Sequence, residues 1–324
     1  MDHHLRRLDE GINIAMPVDV DGYTGRECPN PDCLGYFLIK FGTGLDGEAL
    51  PCHCPYCGHT SDHDQFWTQD QLKYAESVAM REVEAVLGKM FTDWDRQLRR
   101  NSRCGFIQLR LEYKQRSLPI YRYQEKELET AIICDQCTLA YKVFGVFAFC
   151  PDCGVHNTLQ ILRKSLELAR KQLVLAAGQE DAEFAEHLIK NTLEDCVSAF
   201  DGFGREVCCL NASKSTKPEQ ASNLSFQNLI ISNHKVEQLF GIRLENALDA
   251  PQWQGTTRCF QKRHLIAHKM GVVDQKYIDA TQDRQAVVGR KIKVTSEEIT
   301  AIVANLEDLG SSLLSSLAAI GNEN

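Results

Sequence analysis

The chain has 324 residues and a formal net charge of −8 at pH 7. A chain of this length can form two or three domains with cores of their own. Its 43% hydrophobic and 25% charged residues are typical of a globular protein in water, and no segment reaches the roughly 18 uninterrupted apolar residues of a membrane-spanning helix. The acidic balance argues against indiscriminate coating of nucleic acid.

The first eleven residues include both acidic and basic side chains, and no apolar segment follows them. A secretory signal is therefore not expected, and the protein is predicted to be cytoplasmic. Thiols stay reduced in that compartment, so closely paired cysteines favour a bound metal over a disulfide.

Cysteines occur in two paired arrays in the first half of the chain. The first array comprises Cys28, Cys33, Cys54 and Cys57, and the second comprises Cys134, Cys137, Cys150 and Cys153. Four thiols match the ligand set of a tetrahedral structural Zn²⁺ site, so two such ions are predicted. A closed four-thiolate site leaves no coordination position for a substrate. Catalytic chemistry is therefore expected in the second half of the chain.

Two alternatives for these cysteines stay open. Cys52 or His53 can replace Cys54 in the first site, although Cys54 completes the two-residue spacing with Cys57. A redox-active dithiol competes with metal binding, but four thiols grouped twice favour metal. The other cysteines lack paired spacing and are predicted to be buried apolar side chains. They are Cys104, Cys196, Cys208, Cys209 and Cys259.

The segment between the arrays is predicted to contain a helix and then a strand. From about Phe66 to Arg100, apolar residues recur at three- and four-residue steps, which predicts a spacer helix. From Ile107 to Lys114, apolar and polar residues alternate, which predicts a half-buried strand. Eight basic residues and one acid lie between Arg96 and Arg122. This region either binds phosphate or forms a solvated surface.

Five amphipathic helices are predicted after Cys153, and together they suggest an antiparallel bundle. Their apolar stripes or bounds are Leu159–Ala176, Phe184–Phe200, Phe226–Phe240, roughly Thr257–Met270, and Ile299–Ile320. The segment Thr295–Glu298 matches a capping box at the start of the last helix. The segment Asn211–Ser225 is rich in Ser, Lys and Asn, and is predicted to be a polar loop.

The fourth predicted helix carries the candidate catalytic residues Arg263, His264 and His268. The two histidines are four residues apart and therefore share a helix face, and the arginine is one position off that line with a side chain long enough to reach it. A guanidinium grips phosphate through two hydrogen bonds, and an imidazole transfers protons near neutral pH. These groups suit cleavage of RNA by its own 2′-OH, with His268 assisting proton transfer and Arg263 stabilising charge.

Other interpretations of the histidine pair are ordinary hydrogen-bonded side chains on a partly buried helix, or two ligands of a metal ion. No carboxylate follows at a recognisable ligand spacing, so metal binding by the histidines is disfavoured. No catalytic metal is expected.

Arg263 and His268, on a late helix of an α-helical bundle, resemble the Arg-x4–6-His motif of the HEPN superfamily. His264 occupies the polar position after the arginine, and the segment from Gly271 to Tyr277 is similar to sequences downstream of the motif in several such families. The resemblance covers roughly Asn157 to the C-terminus and does not include the cysteine arrays. It implies a metal-independent endoribonuclease, often a toxin or defence effector.

The same resemblance implies a homodimer in which two motif helices face each other across a shared cleft. RNA is the implied substrate, and an antitoxin or other system partner is a further implied partner. No membrane is expected to be involved.

Together these features predict an α+β protein with two small β zinc ribbons, a spacer helix and an all-α HEPN-like bundle. The predicted domains are residues 1–65 for the first ribbon, 66–103 for the spacer helix, 104–156 for the β segment with the second ribbon, and 157–324 for the bundle. The ribbons and the Arg96–Arg122 region are expected to position RNA or to recognise a trigger.

Two rival functions fit the same chain. A zinc-ribbon adaptor, whose bundle mediates association and cleaves nothing, is credible because the HEPN bundle has non-catalytic relatives. Such an adaptor does not need the intact set of Arg263, His264 and His268. A transcription- or translation-linked ribbon protein is the third candidate, and it requires sequence-specific duplex binding by residues 1–156.

Overall fold

The computed structural model describes residues 11–47, 50–101, 111–114 and 116–320. The chain divides into two compact units, Met1–His156 and Asn157–Asn324. A small antiparallel sheet region with two groups of four cysteines precedes a mostly helical part, which confirms the α+β class at this coarse level. None of the described helices combines the length and apolar character needed to cross a bilayer.

The described part of the first unit contains six short strands. They are β1 (Thr24–Glu27), β2 (Tyr36–Ile39), β3 (Pro51–His53), β4 (Thr60–Asp62), β5 (Thr130–Ile133) and β6 (Ala140–Val143). Four of them form an antiparallel sheet in the order β1-β2-β6-β5, and β3 pairs with β4. In the central pair, Leu38 lies opposite Lys142 and Ile39 opposite Tyr141. Strands from both cysteine arrays therefore share one sheet.

The predicted spacer helix is α1, Gln69–Asn101, with 33 residues. It begins where Thr68 and Gln71 cap each other: the Gln71 amide donates to Thr68 Oγ1 and the Thr68 amide donates to Gln71 Oε1, both at 3.1 Å. The buried Gln71 side chain also donates to the carbonyl of Gly25 on β1 at 2.9 Å. This hydrogen bond fixes the start of the helix against the sheet.

The predicted strand from Ile107 to Lys114 is not observed where the chain is described. Residues 107–110 lie outside the described part, and residues 111–114 form no β pairing. The chain instead runs back along α1: the Leu111 amide donates to Asp95 Oδ1 at 3.1 Å, and the Tyr113 ring stacks on Phe91 at 4.5 Å. An alternating pattern indicates extended backbone with one face against an apolar surface, and here that surface is helix α1.

Acids outside the Arg96–Arg122 window neutralise part of its charge. Arg96 pairs with Asp93 at 3.0 Å and Arg99 pairs with Asp95 at 2.7 Å. Arg103 and Arg110 fall among the residues whose structure is not described. The excess of positive charge in this region is therefore smaller than the sequence count indicates.

Seven helices are described in the second unit, two more than predicted. They are α2 (Thr158–Ala177), α3 (Ala182–Leu210), α4 (Pro218–Ala221), α5 (Leu229–Phe240), α6 (Ala250–Lys269), α7 (Gln275–Thr281) and α8 (Ser296–Ala319). The apolar faces of all but α7 enclose one core that contains Leu166, Phe200, Phe260 and Leu309. Helix α7 contributes Tyr277 to a separate, smaller cluster with Leu265, Val273 and Ile292. The predicted capping box at Thr295 and Glu298 is present at the start of α8.

Local hydrogen bonds explain where the helix boundaries differ from the prediction. Helix α6 begins at Ala250 instead of Thr257, because Asp249 and Gln252 form a capping box that its weak apolar periodicity does not reveal. The predicted loop Asn211–Ser225 contains α4 and contributes Ala221, which is fully buried. Short helical turns of this kind have too few residues to show a periodicity.

Helix α3 approaches the chain before α5 closely at a glycine. A Cβ atom on Gly204 would lie 2.5 Å from a ring carbon of Phe226, whose side chain is fully buried. Gly202, in the same helix, has no heavy atom within 4 Å of the corresponding position. The two glycines therefore differ in packing while sharing a helical backbone.

We expect Gly204→Ala to lower the free energy of unfolding by about 1–3 kcal/mol, because overpacking of the buried Phe226 ring outweighs the gain in helix propensity. Gly202→Ala is the matched control and should raise the same free energy by up to about 1 kcal/mol. Urea unfolding followed by helical circular dichroism measures both. Equal stabilisation by the two substitutions would contradict the close contact between Gly204 and Phe226.

Candidate functional site

Each cysteine group is assembled from tight turns that reverse the chain directly after a cysteine. In three of these turns an amide donates to the carbonyl of the cysteine four residues earlier: Gly58 to Cys54 at 3.0 Å, and Thr138 and Gly154 to their cysteines at 2.9 Å. The donor residue has φ of 69°, 65° and 68° respectively. Glycine reaches this left-handed region without strain, which explains two of the three.

The first turn of the chain has the same form, with an asparagine in the place of the first cysteine. The Leu34 amide donates to the Asn30 carbonyl at 3.0 Å, and Leu34 has a φ of 47°. Cys28 lies two residues further upstream, directly after β1, and its amide donates to the Gly35 carbonyl at 3.0 Å. This displacement accounts for the four-residue spacing between Cys28 and Cys33.

The structure brings the predicted thiols together in two groups of four. The sulfur atoms of each group all lie within 4.8 Å of one another. Within the first group Cys28 and Cys57 are 3.7 Å apart, and within the second Cys137 and Cys150 are 3.4 Å apart. A disulfide requires about 2.05 Å, whereas four sulfurs bound to one Zn²⁺ at about 2.3 Å are about 3.8 Å apart. The spacing fits four ligands of one ion.

Cys52 and His53, the alternative ligands, lie outside the first group. Cys52 is on β3 opposite Ser61 and is fully buried, and His53 Nδ1 is 2.8 Å from Thr60 Oγ1. Cys54 is the residue that joins Cys28, Cys33 and Cys57.

Burial raises the pKa of both the Cys28 and the Cys137 thiol to about 11, so each is protonated at neutral pH in the absence of a cation. At Cys57 and Cys134 burial also raises the pKa, but hydrogen bonds from backbone amides and neighbouring thiols outweigh it and lower the pKa. A divalent metal ion displaces such protons and holds the thiolates. The eight cysteines therefore form two possible structural metal sites, with all four sulfurs of each already convergent.

The unpaired cysteines are not uniformly buried. Cys196, Cys208 and Cys259 are buried, as predicted, and burial raises the pKa of each to about 12. Cys209 is exposed, against the prediction, because it lies one residue away from the buried face of α3. Cys104 lies outside the residues that the structure describes.

Cys54→Ser should reduce the metal bound per chain from two equivalents to one, because it removes a ligand from one of the two groups. Cys52→Ser, which changes a buried cysteine two residues away, should leave both equivalents in place. Elemental analysis of the purified variants measures the content. Loss of metal in the Cys52 variant and retention in the Cys54 variant would contradict the ligand assignment.

Helix α6 carries Arg263, His264 and His268 near its C-terminal end. Both histidines are exposed, and their ring centroids are 4.8 Å apart. Partial burial, and next the neighbouring His268, lower the pKa of His264 below its ordinary value. His264 is therefore neutral at neutral pH and can accept a proton.

Arg263 lies on a different face of the helix from the histidine pair. His268 is five positions further along the helix, which corresponds to about 140° around an α-helix. Its side chain is half-buried, and its Nε atom is enclosed without a hydrogen-bond partner. Its charge nevertheless contributes to lowering the pKa of His264. Within one chain the structure brings the two imidazoles together, with the guanidinium to one side.

A buried lysine next to Arg263 ties α6 to α8. The Lys262 side chain is 6% exposed, and its Nζ donates to both carboxylate oxygens of Glu298, at 2.6 and 2.8 Å. It also donates to the carbonyl of Lys293 at 2.7 Å. The sequence does not distinguish Lys262 from other lysines, because nothing local to a lysine reveals a partner 36 residues away.

Side-chain hydrogen bonds hold the segment that follows the motif. Asp274 accepts a hydrogen bond from the Tyr277 amide at 2.9 Å and so caps α7. Tyr277 is buried, and its hydroxyl donates to Asp283 at 2.8 Å. These residues hold the chain that follows α6 in place.

No protein-family model, curated protein or solved structure matches the chain. Within the described residues, His264 and His268 belong to no cluster of three or more potential metal ligands. Their arrangement suits proton transfer at a solvent-exposed helix face.

Lys262→Ala should lower the free energy of unfolding by about 2–4 kcal/mol, because it leaves the Glu298 carboxylate and the Lys293 carbonyl without their buried partner. Lys269→Ala is the control on the same helix. Its ammonium is 53% exposed and lies 3.7 Å from Asp274, so its removal should change stability by less than about 0.5 kcal/mol. Chemical denaturation of both variants measures the difference in the free energy of unfolding. An equal loss of stability in the two variants would contradict the role of Lys262 in connecting α6 to α8.

Proposed function

We propose that the protein is a metal-independent endoribonuclease of the HEPN type, in which two zinc-bound cysteine groups maintain the shape of the first unit. The observation that carries the proposal is the pair of exposed imidazoles, 4.8 Å apart on one face of α6, beside Arg263. A lowered pKa at His264 supplies a neutral imidazole next to a second one. Such a pair can remove one proton and deliver another.

In the proposed reaction the 2′-hydroxyl of the RNA attacks the adjacent phosphorus. The bond from the 2′-oxygen to phosphorus forms, and the bond from phosphorus to the 5′-oxygen breaks. The proton of the 2′-hydroxyl passes to a neutral imidazole, and His268 assists proton transfer to the departing 5′-oxygen. Arg263 stabilises the negative charge on the phosphoryl oxygens. The products are a 2′,3′-cyclic phosphate and a 5′-hydroxyl end.

A homodimer through the motif helix is part of this proposal. Within one chain about 140° of helix rotation separates Arg263 from His268. A second copy facing α6 would supply another arginine and another pair of histidines to a shared cleft. Met270, directly after the helix, is 88% exposed and gives such a contact an apolar component. An antitoxin or other system partner, and a cytoplasmic location, belong to the same proposal.

Zinc is the metal that we assign to the two cysteine groups. Four thiolates at tetrahedral spacing, without a carboxylate, match a structural zinc site and leave no position for a substrate. The metal therefore contributes folding free energy to the first unit and takes no part in the cleavage.

A zinc-bearing adaptor without catalytic activity is the second candidate. The enclosed Nε of Arg263 favours it, because a half-buried guanidinium is less free to reach a phosphate. The exposure of both histidines favours the nuclease, because an adaptor has no use for an imidazole pair in solvent.

Purified protein incubated with single-stranded RNA and EDTA should produce fragments that end in cyclic phosphate. His268→Ala should lower the cleavage rate by about 10²–10⁴-fold, the range of general acid–base catalysis. Gel electrophoresis with end-group analysis measures the products, and a metal assay in the same buffer verifies that the cysteine sites remain loaded.

His187→Ala is the matched control, since His187 is an exposed histidine of α3 that contacts Asn191 and lies outside the motif. It should cleave like the unchanged protein. If the unchanged protein and His268→Ala give the same products at the same rate, the nuclease proposal fails and the adaptor function is favoured.

A further inference from the structure

A run of exposed cations follows α7 and returns to the end of the motif helix. We call residues 284–293 the basic strap. It contains Arg284, Arg290, Lys291, and Lys293, all exposed, and none of them forms an ion pair with another residue in the described part of the chain. Glu186 pairs with Lys190 at 2.6 Å, and that hydrogen bond lowers the pKa of the carboxyl more than the nearby charges of Lys291 and Lys293 do.

The local charge balance around the strap opposes that of the whole chain. From Arg258 to Lys293 there are nine basic and three acidic residues, whereas the net charge of the protein is −8. All three acids accept hydrogen bonds: Asp274 caps α7, Asp279 accepts from the Gln275 side chain, and Asp283 accepts from the Tyr277 hydroxyl. Lys262 and Lys269 pair with Glu298 and Asp274 respectively. The remaining cations leave an excess of positive charge that attracts a polyanion.

Backbone hydrogen bonds attach the strap to the residues directly after α6. The Ile292 amide donates to the Gly271 carbonyl at 2.8 Å, and the Val273 amide donates to the Arg290 carbonyl at 2.9 Å. Ile292 is buried, whereas Lys291 and Lys293 on either side of it are exposed. The strap is therefore held like an edge strand, with alternate side chains directed to solvent.

This attachment brings the cations near the imidazoles. His268 is in the last turn of α6, and four residues later Val272 pairs with Lys291. Four residues span at most about 14 Å, and paired residues are about 5 Å apart. The backbone of Lys291 is therefore within about 19 Å of that of His268, which a few nucleotides of a single strand can span.

The strap and the histidines lie on different sides of α6. Lys262, which contacts the strap through the Lys293 carbonyl, is about 120–160° around the helix from His264 and His268. An RNA strand that touches both must cross the C-terminal end of the helix. The chain reverses there, at Met270 and Gly271, and the helix offers no further turns to block the path.

We propose that the basic strap binds the phosphates of the RNA strand on one side of the scissile bond. This inference rests on the proposed nuclease function and adds the surface that holds the substrate. A cleft of about 640 Å³ beside the strap, lined by Lys262, Val287, Arg290, Lys293 and Glu298 among others, has room for a nucleotide. Phosphate contacts of this kind give affinity without base specificity.

The test measures RNA binding by the full chain in the His268→Ala background, where cleavage is absent or slow. The probe is a fluorescent single-stranded RNA of mixed sequence, and fluorescence anisotropy reports Kd at several salt concentrations. The test variant combines Arg290→Gln, Lys291→Gln and Lys293→Gln. Loss of three phosphate contacts should raise Kd by about 100-fold at about 0.1 M salt and reduce the salt-dependence slope by about 2.

The control combines Lys164→Gln, Lys171→Gln and Lys235→Gln, three exposed cations of the second unit on α2 and α5 with the same total charge change. It should raise Kd by less than about threefold, because long-range charge effects are screened at this salt concentration. A third variant, Lys291→Arg with Lys293→Arg, keeps the charge and should bind like the parent.

Three results would overturn the proposal: unchanged Kd in the strap variant, an equal increase in Kd in the control, or no RNA binding by the parent protein. Failure of the nuclease proposal is distinguishable from these results. In that case His268→Ala leaves cleavage unchanged, while the strap variant still loses RNA binding.

Discussion

The buried ammonium of Lys262 connects the three parts of the second unit on which its proposed function depends. It reaches the carboxylate of Glu298 at the start of α8 and the carbonyl of Lys293 in the strap, from a position beside Arg263 on α6. Burying a charge is unfavourable unless it is paired and hydrogen-bonded. The ammonium is stable here because both partners are held in place, and it therefore fixes the motif helix, the last helix and the strap relative to one another.

The first unit depends on a different constraint, the convergence of four sulfur atoms at each of two points. Tight turns with a left-handed residue direct the thiols inward, and the pairing of β2 with β6 joins the segments that carry them. The described strands of this unit have three or four residues each, and thiols of both groups are part of its main apolar cluster. Bound metal would supply much of the free energy that a larger core supplies elsewhere.

Charge is distributed in a way that residue counts along the chain do not reveal. The Arg96–Arg122 window has the larger basic excess in sequence, yet Arg96 and Arg99 are paired with aspartates just outside it or at its edge. The basic strap has fewer cations, but they are exposed, and the acid directly before it, Asp283, accepts a hydrogen bond from Tyr277. Whether a cation is available to a ligand depends on its partners in space.

What the sequence determined by itself is local. Cysteine spacing specified the two ligand groups except for the choice at Cys54, the Thr295–Glu298 pattern specified a helix start, and a four-residue step specified the shared face of His264 and His268. Each of these depends on a turn or a helical period that a few neighbouring residues establish.

Only the tertiary structure decided the features that join distant segments. These are the pairing of β2 with β6, the return of residues 111–114 along α1, the partners of Lys262 and the position of the strap. Each depends on contacts between residues far apart in the chain, and packing selects among many such contacts that the local pattern allows equally. Periodicity identifies the face that an element buries, and it does not identify what that face is buried against.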